Sequence, residues 1–339
     1  MLGGIVAVGI LTALTILGKK HRQFDFKDKV VVITGGARGL GLVLARQFAD
    51  EGAKIVICSR DSAELLRAKT ELEERGTKVF AAVCDVRNQE SVDEFVQDVV
   101  RRFGRIDVLV NNAGVIQVAP LENQTQADFE EAMQIHFWGA FYMMQAVLPQ
   151  MKEIGAGRIV NIASIGGKVA VPHLAPYCAS KFALVGLSDA MRGELLKDNI
   201  FVTTVCPGLM RTGSHINATF KGKNTLEFAW FSIGNASPLA SVSAEYAAGK
   251  VVGAARSGEA ELIISGQAKI LAKMNTLFPK LTAEILGLAN GLLPSAGGIG
   301  EKRASGLESG SFAAPSFLTA NIDAAAKANN ELKPRETLG

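Results

Sequence analysis

The stretch Val30-Val-Val-Ile-Thr-Gly-Gly-Ala-Arg-Gly-Leu-Gly41 decides the fold. Four strand-forming apolar residues run directly into a glycine-rich turn, and the residues from Leu40 to Ala49 then follow helical spacing. Gly35, Gly39 and Gly41 permit a tight turn, and with Leu40 they bring backbone amides and a positively polarised helix N-terminus close to one point. That arrangement suits a pyrophosphate, and both flanking elements it needs are present.

Working outward, short apolar runs alternate with longer amphipathic ones. Val30–Ile33, Lys54–Cys58, Val79–Val83, Val108–Val110, Arg158–Ile162, Val202–Val205 and Glu261–Ile264 read as strands, nearly all apolar as strands covered on both faces should be. Leu40–Ala49, Ala63–Glu74, Val92–Phe103 and Ala132–Leu148 read as helices, with Gly52, Gly76 and Gly104 as stops. The alternation predicts a Rossmann-like α/β fold: a doubly wound parallel sheet forming one catalytic domain over 24–266. At 339 residues and 48% apolar composition the chain can bury a substantial core.

The formal net charge of +3, without a basic stripe interleaved with aromatics, gives no electrostatic footprint for nucleic acid. Cys58, Cys84, Cys178 and Cys206 are scattered, which suits a reducing compartment. No His or Cys pair has metal-ligand spacing, so no metal is expected.

Downstream of the turn, Tyr177 and Lys181 stand four residues apart, and Ser164 precedes Tyr177 by thirteen. A helix puts positions i and i+4 on one face, so the Lys181 ammonium is expected beside the Tyr177 phenol, favouring its ionised form. Tyr177 then exchanges a proton with a carbonyl or alcohol oxygen. Ser164 orients that oxygen, and hydride passes between carbon and a nicotinamide.

The glycine turn, Asn111-Asn-Ala-Gly114, Ser164, Tyr177-x-x-x-Lys181 and Pro207-Gly208 together resemble the short-chain dehydrogenase/reductase family, over roughly 26–266. The resemblance implies that Asp85 and Val86 flank the adenine and that Asn112, Ala113 and Gly114 run beside the cofactor. It also implies that Pro207, Gly208 and Thr212 frame the nicotinamide end, that Lys181 binds the nicotinamide ribose, and that the chain forms homo-oligomers. Many family members carry an asparagine in the fourth helix, supporting a water-mediated proton path behind the lysine; here that position holds His136. Histidine either takes over the relay or is a satisfied core residue.

The second strand ends in Ser59-Arg60 rather than in an acidic residue suited to a ribose diol. Arg60 together with Arg38 is expected to clamp a 2′-phosphate, so NADP(H) is expected over NAD(H), with the nearby Asp61 as a counter-indication. Ile165, Val169, Val171, Leu174, Leu209 and Met210 favour a hydrophobic alcohol or ketone, of lipid, steroid or retinoid type. The segment 213–240, with Phe220, Phe228, Trp230 and Phe231, reads either as a cover over the substrate or as a subdomain packing its own aromatics.

Met1 to Gly18 carries no charge and is followed by Lys19, Lys20, His21 and Arg22. As a helix this run would measure roughly 27 Å, close to a bilayer's hydrocarbon thickness. An anchor over 1–18 is expected, with the catalytic domain on the cytoplasmic side; a buried or interfacial helix is the alternative. Residues 267–294 read as an amphipathic segment that packs on the domain, a second subunit or a bilayer, and 295–339 as a mostly disordered tail. Two other classes compete with an enzyme: a catalytically weak dinucleotide-binding regulator and a membrane-tethered interaction protein.

Overall fold

The computed structural model describes residues 22–332; the expected anchor over 1–18 lies outside them. Seven strands form one parallel sheet: β1 (Val30–Thr34), β2 (Lys54–Ser59), β3 (Val79–Val83), β4 (Val108–Asn111), β5 (Gly157–Ile162), β6 (Ile200–Pro207) and β7 (Glu261–Ile264). Their order is β3-β2-β1-β4-β5-β6-β7. Every pairing is parallel, with Val30 opposite Lys54 on one side of β1 and Val31 opposite Val108 on the other. The order reverses between β1 and β4, opening a crevice at their carboxyl ends where a ligand of a doubly wound sheet binds.

Alternation along β1 explains why both faces need cover. Val31 and Ile33 join one core with Leu42 and Phe48 of α1 (Gly39–Asp50) and Ala248 and Val251 of α8 (Ala244–Ser257). Val30 and Val32 join the other core, built with Phe95 of α3 (Gln89–Phe103) and Met143 and Val147 of α5 (Gly139–Ile154). Between them in sequence lie α2 (Ser62–Glu74), α4 (Gln126–Met133), α6 (Ala175–Leu195) and α7 (Asn224–Ala236). The helix predicted over 132–148 is interrupted: a π-turn at Gln134–Trp138 joins α4 to α5.

Phe220, Phe228 and Phe231 are buried against Val118, Ala218 and Ala314, so the aromatic insertion packs a small core of its own. The amphipathic segment forms two helices, α9 (Gly266–Leu277) and α10 (Pro279–Asn290), broken where Pro279 starts the second. Much of their apolar surface, including Leu277, Phe278, Leu281 and Leu288, faces solvent. No helix among the described residues is long and apolar enough to cross a membrane.

The expectation of a disordered tail is corrected for 295–332. Ala304–Ser305 pairs antiparallel with Thr219–Phe220, and α11 (Ala320–Ala328) buries Ile322 and Ala326. The Ala and Gly content that suggested disorder is what allows this close packing. Polar anchors hold the segment as well: Arg303 bonds Asp128 and Glu131 at 2.7 and 2.6 Å.

Candidate active site

The glycine turn is locked to the end of β4 by one hydroxyl. Thr34 Oγ1 accepts the backbone N–H groups of Asn112 and Ala113, each at 3.0 Å, while Asn112 Nδ2 donates back to Thr34 O at 3.0 Å. Gly41 is required for packing, because a Cβ there would collide with the carbonyl of Gly35. Gly39 has φ +55, a left-handed conformation that glycine adopts without strain.

A cavity of about 730 Å³ opens at this switch point. Gly35, Arg38, Gly39, Leu40, Ser59, Arg60, Asp85 and Val86 line it, as do Asn112, Ala113, Gly114, His136, Tyr177, Lys181 and Thr212. The structure therefore gathers most of the predicted site around one space. Gly41, Ser164, Pro207 and Gly208 stand outside the lining. Pro207 pairs with Ile264 at the end of β6, and Gly208 packs against Ser265 and Ala268 at the start of α9.

Pro176 opens α6, where a missing N–H costs nothing, and the helix then presents Tyr177 and Lys181 on one face. Lys181 Nζ donates to Ile162 O at 2.8 Å and lies 5.7 Å from the Tyr177 ring centroid. Tyr177 and Ser164 converge on Gly166, where a Cβ would meet Tyr177 Cε1 at 3.2 Å and Ser164 Oγ at 3.4 Å. Ser164 itself caps a short 3-10 turn, accepting from Gly166 N at 3.0 Å, which fixes its hydroxyl beside the phenol.

Burial dominates the electrostatics. It pushes the Tyr177 phenol up to about 12, against the lowering pull of Ser164, and pushes Lys181 down to about 7. Burial thus favours the protonated phenol, and the charge expected to favour its ionised form has to work against that desolvation.

His136 sits in the π-turn with both ring nitrogens engaged. Nε2 accepts from Val115 N at 3.1 Å, and Nδ1 lies 2.7 Å from Ser180 Oγ. Burial and then the Lys181 charge hold it well below the usual imidazole range. It is thus neutral, and its ring meets that of Tyr177 edge-on, the centroids 5.5 Å apart. A relay through His136 would have to exchange one of these two partners.

Arg60 is exposed at the cavity rim, whereas Arg38 is shared: it bonds Glu64 at 2.9 Å and approaches Glu331 to 3.5 Å. Asp61 spends its carboxylate on the N-terminus of α2, accepting Ala63 N and Glu64 N at 2.9 and 3.0 Å. Of the six apolar substrate candidates, Met210 lines the cavity, joined there by Val115, Ile116 and Ile162. Sequence reasoning missed Glu331 and Asn217, both in the cavity wall. No local pattern marks either, since the groups they contact come from distant parts of the chain. Among the described residues, no cluster of His, Cys, Asp and Glu is placed to hold a metal.

With this geometry in hand, the relatives agree. The model of the short chain dehydrogenase family matches residues 29–221. The chain is 35% identical over 236 residues to "Dehydrogenase/reductase SDR family protein 7-like" of Anopheles gambiae, covering 68% of this chain and 74% of that one. It is 39% identical over 194 residues to the D-threitol dehydrogenase of Mycolicibacterium smegmatis, covering 56% and 74%. Among solved structures, the L-sorbose reductase of Gluconobacter frateurii, complexed with NADPH and L-sorbose, superposes with TM-score 0.65 at 29% identity, covering 72% of this chain and 98% of that one. An NAD+-bound xylitol dehydrogenase superposes with TM-score 0.63 at 30% identity, covering 72% and 100%.

Proposed function

The chain belongs to the short-chain dehydrogenase family, oxidoreductases that interconvert alcohols and carbonyls, and from that premise we propose that it reduces or oxidises a hydrophobic substrate with NADP(H) as preferred dinucleotide. The observation that carries the reading is Tyr177, with Ser164 and Lys181 beside it, in the wall of a cavity that runs on to the glycine turn and Arg60. A nicotinamide bound there would supply or take up the hydride. For carbonyl reduction, the protonated phenol of Tyr177 is the donor the substrate oxygen needs. Ser164 orients that oxygen, and Lys181, held at Ile162 O, supplies positive charge beside the phenol as the proton leaves.

Preference for the phosphorylated dinucleotide is supported by the absence of an acidic residue at the end of β2, where Ser59 stands, and by Arg60 at the rim. Asp61, in the same cavity wall, weighs the other way, although its Oδ1 is engaged in capping α2. The relatives' names mention both NADPH and NAD+ complexes, so the choice rests on these residues. A hydrophobic substrate is supported by Met210, Val115 and Ile116 in the lining. Attachment to a bilayer surface is supported by the exposed Leu277, Phe278, Leu281 and Leu288 of α9 and α10 together with the apolar run at Met1–Gly18.

The test is NADPH oxidation by the purified protein across a panel of apolar ketones, with Tyr177→Phe beside it. The substitution should lower kcat by about 10²–10⁴-fold. A variant as active as the parent would remove Tyr177 from the chemistry.

A further inference from the structure

The C-terminal segment reaches back across the whole fold to the cofactor cleft. Gly39 N–H donates to Asn329 O at 2.9 Å, and Asn330 Nδ2 donates to Ala37 O at 2.8 Å, so the segment is bonded to the glycine turn itself. On the other side of the cavity, Asn329 Nδ2 donates to Thr212 O at 3.2 Å. Asn217 Nδ2 donates to the Glu331 carboxylate at 2.7 Å and to the Glu331 carbonyl at 2.8 Å. The same three residues thus join the two lips between which a dinucleotide would lie.

We propose that residues 320–331 are a strap that closes the dinucleotide cleft, with Glu331 the positioning residue that ties the 212–217 lip to the glycine turn beside Arg38. The proposal rests on the dinucleotide site argued above. Glu331 Oε1 would stand 2.5 Å from a Cβ at Gly39, so the carboxyl lies directly on the turn, and only glycine leaves it room. The strap is anchored from outside the cavity as well. Arg46 bonds Asn329 Oδ1 at 2.9 Å, Arg67 bonds Asn330 Oδ1 at 2.6 Å, and His215 meets Asp323 at 3.1 Å. Asn329 and Glu331 are almost fully buried. A segment held this way is costly to displace, and with it in place the cavity still measures about 730 Å³. Glu331 forms part of its wall.

Two consequences separate a clasp from a surface decoration. Breaking the Asn217–Glu331 link should let the lips part, raising the Kd of either dinucleotide. Removing only the negative charge beside Arg38 should favour the form that carries the extra phosphate. Titration of NADPH and NADH into the full chain, followed by nicotinamide fluorescence, reads both without any carbonyl substrate. Glu331→Ala should weaken both dinucleotides about tenfold, the worth of one to two hydrogen bonds. Glu331→Gln, which keeps an acceptor for Asn217, should hold NADH within about threefold and raise the NADPH preference. Asn217→Ala should reproduce the loss, and combining it with Glu331→Ala should add little, as coupled partners behave.

Tighter binding in Glu331→Ala would show that the carboxylate competes with phosphate and would overturn the clasp, as would unaltered Kd values. If Glu331→Ala does not fold, Glu331→Gln and Asn217→Ala decide. A parent protein that binds neither dinucleotide would overturn both this proposal and the reading beneath it, whereas failure of the variants alone overturns only the strap.

Discussion

His136 Nδ1 lies 2.7 Å from Ser180 Oγ, and Ser180 Oγ donates in turn to Tyr177 O at 2.8 Å. Since the hydroxyl proton goes to that carbonyl, Nδ1 must carry its own proton and donate to Ser180, leaving Nε2 as the acceptor for Val115 N. One neutral imidazole therefore couples the loop after β4 to the first turn of α6, where the phenol sits.

This makes His136 a positioning residue for Tyr177. His136→Ala leaves the part-buried Val115 amide without its acceptor, costing about 1–3 kcal/mol, and removes the donor to Ser180 Oγ, which keeps its bond to Tyr177 O. Thermal unfolding should shift down, and kcat should fall as Tyr177 loses its fixed backbone. His136→Asn, which can still meet one partner, should recover part of both. Equal kcat and equal Tm in His136→Ala would reject the assignment.

Lys181 carries the opposite lesson about stability. Its folded pKa, lowered to about 7 by burial, lies below the ordinary lysine value of 10.5, so between these values the unfolded chain binds more protons than the native one. Stability should accordingly rise with pH across that window, and the burial penalty is full below about 7. Lys181→Met removes the ionisable group. Its Tm should exceed the parent's by a few degrees at pH 6, and the gap should close toward pH 10, although activity is lost. A gap independent of pH would show that Lys181 does not titrate in this window.

The proposed preference for NADP(H) assigns the cofactor selectivity to Arg60. It lies in the cavity wall at the end of β2, and Arg38 is already shared between Glu64 and Glu331, so Arg60 should provide the larger part of the hold on a 2′-phosphate. Arg60→Ala should reduce kcat/KM for NADPH by about 10–100-fold, the worth of a charge-assisted hydrogen bond, and leave NADH nearly untouched. Parallel losses with both cofactors would contradict the assignment.

The sheet was legible because its central strands are buried on both faces, and Val30–Ile33 or Lys54–Cys58 have no other use for so apolar a run. The glycine turn and the Tyr177–Lys181 pair were legible because both depend on spacing within one or two neighbouring elements. The π-turn at Gln134–Trp138 was not, since a helix that gains one residue in a turn keeps a helical pattern. Glu331 was beyond reach for another reason: the strap's bond from Asn330 to Ala37 spans 293 positions, and no local rule encodes it. The tail was misread because composition counts residues and ignores single buried ion pairs.

One of those ion pairs provides a direct test of the ordered tail. Asp128 is fully buried between Lys221, 2.5 Å from Oδ2, and Arg303 of the tail, 2.7 Å from Oδ1, and its carboxylate also closes the capping box of α4 with Thr125. Burial pulls its pKa upward, but the hydrogen bonds from Lys221 and Thr125 outweigh this and hold it below the ordinary value. A depressed carboxylate contributes stability that is present above the unfolded pKa and lost as pH falls through the folded one. Asp128→Asn removes the charge and strands Lys221, which is only 3% exposed, so it should destabilise the protein by about 3–5 kcal/mol. Amide exchange should also accelerate selectively in 304–332 as Arg303 loses its hold. A variant with the parent's stability and tail protection would mean that the pairing does not anchor the segment, and that the contacts of α11 alone keep it in place.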